Sequence, residues 1–135
     1  MCDTNSSNNI HLTLQIFPGK YAVCRFDPLH TQLPGLNEGN LISITRTAKE
    51  LSIVLSEELV QPGWQAEMGW CAIQVIGPLD FNLTGILASL AAPLAQAAIS
   101  IFAISTYDTD IILVRAKDLQ PAVEVLKRSG FVFRD

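Results

Sequence analysis

The sequence predicts an α+β protein whose strands form antiparallel sheets with helices on one side. Three patterns predict it. Short runs alternate apolar and polar residues, as half-exposed strands do; two stretches change to the helical period; and residues 70–133 read in turn as strand, helix, strand, strand, helix, strand, the split βαβ order. At 135 residues the chain has room for one core or two small fused half-domains.

Ile10, Leu12, Leu14 and Ile16 alternate with His11, Thr13 and Gln15, so Ile10–Phe17 is expected as a first strand with those four residues on one face. Pro18 and Gly19 turn the chain into a second strand, Tyr21–Phe26, and a loop rich in turn formers follows, with Asp27, Pro28, Pro34, Gly35 and Gly39. Leu41–Arg46 and Leu51–Ser56 are β-branched-rich runs four residues apart, the spacing of a hairpin. Pro62, Gly63 and Gly69 mark the junction between halves, and Trp64 and Trp70 are expected to pack across it. The division expected is 1–65 for a first, strand-rich module and 66–135 for a second.

The second half opens with a strand at Trp70–Ile76 and a turn at Gly77 and Pro78. Asn82 is the expected N-cap of a helix carrying Leu83, Ile86, Leu87, Leu90, Leu94 and Ala97 on one face, and Pro93 should bend it. Gly85, Ala88, Ser89, Ala92 and Gln96 make the opposite face small, which suits either tight packing within the chain or a contact between two copies. Ile99–Ser105 is apolar on both faces, as in a central covered strand, and Ile111–Val114 should pair with it. Asp118 is the expected cap of a second helix with Leu119, Ala122, Val123 and Leu126 inward, Lys127 and Arg128 in its last turn, and Gly130 at the left-handed position that ends it. Phe131–Phe133 closes as a strand.

Composition excludes several classes of function. Charged residues are 16% of the chain against roughly 25% in ordinary globular proteins, so a second copy is expected to cover part of the surface, as a homodimer. A net charge of −4 with scattered Lys and Arg argues against nucleic acid as a partner. Phe81–Tyr107 is free of charge, but Asn82, Ser89, Gln96, Ser100 and Pro93 interrupt it and its period changes near Ala98, so no membrane span is expected. The first ten residues lack the basic and apolar regions of an export signal, and Cys2, Cys24 and Cys71 are too far apart for a metal motif or a disulfide framework, so reduced thiols in cytoplasm are expected. His11 and His30 have no Cys, Ser or carboxylate motif beside them and read as solvated. No catalytic residue, metal site or cofactor is expected.

Gly77–Leu87 (GPLDFNLTGIL) followed by Ile99–Val114 (ISIFAISTYDTDIILV) resembles the second module of the small ACT-domain family, and Ile42–Glu58 (ISITRTAKELSIVLSEE) resembles its first. The similarity runs over nearly everything after Ile10. It extends to tandem modules of aspartate kinase regulatory domains and of CASTOR-type amino-acid sensors. The resemblance implies two ferredoxin-like (βαββαβ) ACT-type modules side by side, the first strand-rich and degenerate. It also implies amino-acid sensing at an interface between modules, without catalysis. Any regulated enzyme would be a separate chain.

A free amino acid presents a carboxylate and an ammonium on one carbon, so its receptor needs N–H donors beside acceptors. The turn formed by Gly77, Pro78, Leu79, Asp80, Phe81 and Asn82 leads into a helix start, which suits a carboxylate. The loop of Ser105, Thr106, Tyr107, Asp108 and Asp110 offers carboxylates for the ammonium or a cationic side chain, Asp110 matching the family loop best. Thr45, with Arg46 and Thr47 beside it, is the corresponding polar patch of the first module. Asp is equally favoured at helix starts and turns for local reasons, and alternation alone exposes part of any strand, so these residues admit a structural reading too. Three functions remain open: a ligand-binding regulatory module, a structural dimerisation module, and an enzyme on the same scaffold.

Overall fold

A computed structural model of the chain describes residues 12–30, 32, 37–76 and 84–134. It divides into two compact units, Pro18–Cys71 and Met1–Phe17 with Ala72–Asp135. The boundary expected at 65/66 falls inside a strand, and the N-terminal strand belongs with the later segment.

In the unit Pro18–Cys71, β2 (Tyr21–Phe26) lies between β4 (Leu51–Ser56) and the first part of β5 (Gln65–Val75), and β3 (Ser43–Arg46) pairs with β4 at the edge. All these pairings are antiparallel. Taken in chain order the strands are arranged 4-1-3-2, the order of the split βαβ fold, although no α-helix occurs among the unit's described residues. Alternation explains its core. Ala22 lies opposite Leu55, Cys24 opposite Ile53 and Phe26 opposite Leu51, which puts one apolar face on both strands. Loop and turn residues cover that face, among them Ile42, Leu59, Val60 and Trp64. Trp64 packs edge-on against Phe26 at 5.1 Å, inside its own unit instead of across a junction. The hairpin expected between Arg46 and Leu51 forms: the Thr47 amide donates to the Glu50 carbonyl, and the Thr47 hydroxyl accepts from the amides of Lys49 and Glu50.

The other unit repeats the 4-1-3-2 order with one strand added. β1 (Thr13–Ile16) lies antiparallel to the end of β5 and parallel to β8 (Val132–Arg134), so it sits between the first and last strands of the βαββαβ segment. On the far side β5 pairs with β7 (Asp110–Arg115), and β7 with β6 (Ile101–Ser105). Leu14 is fully buried between Val75 and Phe133, whereas Ile16 is 38% exposed, so the face expected for Ile10–Ile16 holds only in part; Ile10 and His11 lie outside the described residues.

α1 (Ile86–Gln96) and α2 (Leu119–Arg128) pack together. Ile86, Leu90 and Leu94, four residues apart, bury the inner stripe of α1, which runs through Pro93. One expected cap is corrected: α1 starts from Gly85 rather than Asn82, which lies outside the described residues. Asp118 stands at the N-cap position of α2 as expected, but it also ends a 3₁₀ turn, Ala116–Asp118, has helical dihedrals and makes no side-chain cap bond. At the C-termini the two helices close alike: Phe131 donates to the Leu126 carbonyl past Gly130 (φ +102°), and Ile99 donates to the Leu94 carbonyl past Ala98, which adopts φ +60° without being glycine.

The covered central strand is β7, not β6. Ile111, Ile112, Leu113 and Val114 are all buried, while Ile101, Phe102 and Ile104 of β6 are half-buried on a strand paired only with β7 among the described residues. Both runs are apolar on both faces, so periodicity does not distinguish them; the pairing with β5 does. No helix among the described residues is long and apolar enough to cross a membrane.

Replacing Leu14 by Ala should cost about 2–5 kcal/mol of unfolding free energy, and replacing Ile16 by Ala about 1 kcal/mol. Urea denaturation of the two variants checks the difference; equal losses would contradict the placement of β1 between β5 and β8.

Candidate functional site

The loop from Ser105 to Asp110 is a closed turn held by its own polar side chains. Ser105 and Asp110 face each other as the last pair of the β6–β7 ladder, and the Ser105 hydroxyl donates to Asp110 Oδ1 at 2.7 Å. Above them the Thr106 amide donates to the Thr109 carbonyl at 2.8 Å, the Thr106 hydroxyl donates to the same carbonyl at 3.0 Å, and the Thr109 amide donates back to Thr106 Oγ1 at 3.1 Å. Threonine and serine favour this geometry because their hydroxyls serve backbone groups two or three residues away. The tip, Tyr107 and Asp108, faces solvent, with Tyr107 82% exposed.

Thr109 anchors the turn. It is the buried polar residue of the described core, and its hydroxyl donates to the carbonyl of Val75 at the end of β5. Sequence reasoning missed it: nothing separates Thr109 from its polar neighbours in the sequence, and its burial follows only from the pairing of β5 with β7. The turn thus presents the Asp108 carboxylate at its tip and the partly engaged Asp110 carboxylate at its base. Carboxylates accept up to about four hydrogen bonds, so both have capacity for an ammonium or guanidinium donor.

Gly77, Pro78, Leu79, Asp80, Phe81 and Asn82 lie outside the described residues. The strand to which Thr109 is tied leads directly into them in sequence. Thr45 belongs to the other unit, where it lies on the edge strand β3 opposite Ser52, exposed. Its neighbour Arg46 is not free to line a cleft: its Nε donates to the Pro28 carbonyl at 2.9 Å and its Nη2 to the His30 carbonyl at 3.2 Å. His30 is half-buried rather than solvated, with its ring stacked on Phe26 at 4.6 Å.

Among the described residues no group of three or more His, Cys, Asp or Glu side chains is placed to hold a metal ion. Cys24 and Cys71 are free and buried, and burial pushes both thiols above their ordinary pKa; at Cys71 the Lys20 ammonium opposes this and the Glu57 carboxylate adds to it. Folding therefore favours the protonated thiols.

Two outcomes follow from these contacts. Thr109→Val leaves the Val75 carbonyl without its partner and should cost about 1–3 kcal/mol, with faster hydrogen exchange at the Thr106 amide; Thr109→Ser should retain most of the stability. The raised thiol pKa values contribute stability that is complete below the unfolded thiol pKa and lost as pH rises through the folded values. The melting temperature should therefore decline above pH about 8.5, less steeply in a Cys24→Ala/Cys71→Ala variant.

Comparison with known proteins agrees with this architecture. The ACT-domain family model matches residues 65–128, and a model of a family of N-terminal domains matches residues 19–64. The cytosolic arginine sensor for mTORC1 subunit 1 of Bos taurus is 31% identical over 114 residues, which are 76% of this chain and 35% of the sensor. The chain thus spans about a third of that relative's length. Among solved structures, protein Atu0741 from Agobacterium tumefaciens has a TM-score of 0.86 at 33% identity, covering 93% of both chains. Aspartate kinase from Clostridium acetobutylicum has a TM-score of 0.64 at 11% identity, over 93% of this chain and 37% of the kinase, a likeness of fold. The strand order of the later unit and the family match across the βαββαβ segment agree: residues 65–128 of this chain belong to the ACT-domain family.

Proposed function

We propose that the chain is a non-catalytic regulatory module that binds a free amino acid at the β6–β7 turn together with the segment 77–82. The observation that carries this reading is the preordered turn, in which Ser105, Thr106 and Thr109 hold the backbone while Asp108 and Asp110 offer carboxylates. A turn ordered before binding loses little entropy when a ligand arrives. The arginine-sensor relative supports an amino acid as the ligand and the cytoplasm as the location. In this reading Gly77, Pro78, Leu79, Asp80, Phe81 and Asn82 receive the ligand carboxylate, and Ser105, Thr106, Tyr107, Asp108 and Asp110 the cationic end.

The working form is a homodimer, supported by the half-buried apolar residues of the edge strand β6 and by Val132, 57% exposed on β8.

Thermal unfolding against each of the twenty amino acids tests the reading, because a ligand that binds only the native state stabilises it by about 2.7 kcal/mol at a hundred times its Kd. One amino acid, or a few related ones, should raise the melting temperature saturably, and Asp110→Asn should weaken that ligand about tenfold or more. A flat panel would sink the proposal and favour a dimerisation module without a ligand.

A further inference from the structure

A cleft of about 480 Å³ lies within the unit Pro18–Cys71, at the end of the sheet where β2 begins and β4 ends. That size is within the range of about 300–1,000 Å³ typical of small-ligand pockets. Three chain segments form it: the turn before β2, the residues Gly39 and Asn40, and Ser56–Glu58 after β4.

Hydrogen bonds hold these segments in place. The fully buried Tyr21 donates its hydroxyl to the Pro18 carbonyl at 2.9 Å, and the Asn40 side chain bonds to Tyr21. The Glu57 amide donates to the Lys20 carbonyl at 3.0 Å, and the Gly69 amide donates to Glu57 Oε1 at 3.0 Å. Gly39 has φ +84°, and a Cβ there would lie 2.6 Å from Ser56 Oγ, so the close approach of these two walls requires glycine.

The lining carries both signs of charge. Lys20 is the cation, and Glu57 and Glu58 are the carboxylates, with the Asn40 amide and Ser56 hydroxyl between them in kind. Among the described residues no ion pair joins Lys20 to either glutamate. Opposite charges that share a cleft without neutralising each other complement a ligand that also carries both.

We propose that this cleft is a second ligand site, for a small zwitterion, in which Lys20 takes the carboxylate and Glu57 and Glu58 take the ammonium. It shares no residue with the β6–β7 turn and lies in the other compact unit, so it stands or falls separately from the amino-acid site proposed above. Because Lys20 and Glu58 are exposed, solvent weakens each charge-assisted contact, and affinities in the range of about 0.1–10 mM are expected.

The test is a titration of the ¹⁵N-labelled full chain, followed by amide chemical shifts, with each of the twenty amino acids and with their N-acetyl and carboxamide derivatives at about 10 mM. The expected result is a saturable shift of the Gly19, Lys20, Gly39 and Asn40 amides with at least one free amino acid. The same shift should be absent with both derivatives of that amino acid, weakened about tenfold or more in Lys20→Gln and in Glu58→Gln, and unchanged in Asp110→Asn. Glu57 is left intact because it holds Gly69. If no amino acid moves these amides, or if a blocked derivative moves them equally, or if neither variant weakens the shift, the proposal is overturned. Shifts confined to Ser105–Asp110 also overturn it while leaving the other site standing.

Discussion

The 11-residue strand β5 is the constraint on which both units depend. Its first part, Gln65–Trp70, pairs with β2 and completes the four-stranded order of one unit; its last part, Ile73–Val75, pairs with β1 and begins the order of the other. Trp70, Cys71, Ala72 and Ile73 are buried in succession, so the strand is covered on both faces where it passes from one unit into the next. Without it the unit Pro18–Cys71 would keep three antiparallel strands and the other unit two separate pairs, β6 with β7 and β1 with β8, and sheets so small have little apolar area with which to offset chain entropy.

The insertion of β1 between β5 and β8 has a comparable consequence. It gives Leu14 two strand neighbours and makes β8 pair in parallel with a segment far away in sequence. Such contacts cost loop-closure entropy before they return any stability. The burial of Leu14, Val75 and Ile73 supplies that return.

Polar groups at the strand ends are built differently in the two units. At the β6–β7 turn, hydroxyls satisfy the backbone and the carboxylates face outward, an arrangement suited to a cation. At the cleft of the other unit one main-chain bond, from the Glu57 amide to the Lys20 carbonyl, and the side chains of Tyr21 and Glu57 tie the segments, and charges of both signs line one space. The same small fold thus offers two chemically distinct polar surfaces, consistent with a scaffold on which sites vary while the strand order stays.

The amino-acid sequence by itself determined most of the secondary structure. Tyr21–Phe26 and Leu51–Ser56 appear with the expected bounds, as do the Thr47–Glu50 hairpin and the glycine that ends α2, because each rests on local periodicity or local backbone preference. The inner stripes appear in part, with Ile86, Leu90 and Leu94 buried on α1 and Ala122 and Leu126 on α2, whereas Ala97 is exposed beyond the end of α1. The resemblance singled out the STYDTD loop, which is held by its own hydroxyls, and GPLDF, which lies outside the described residues. Tertiary structure alone decided which apolar strand is central, that β1 joins the C-terminal segment, that Trp64 packs inside its own unit, that Thr109 is buried beneath its turn, and that Lys20 and Glu57 come close to one thiol. Pairing between distant strands sets all of these, and a pattern read along the chain contains no measure of which distant partner a strand will meet.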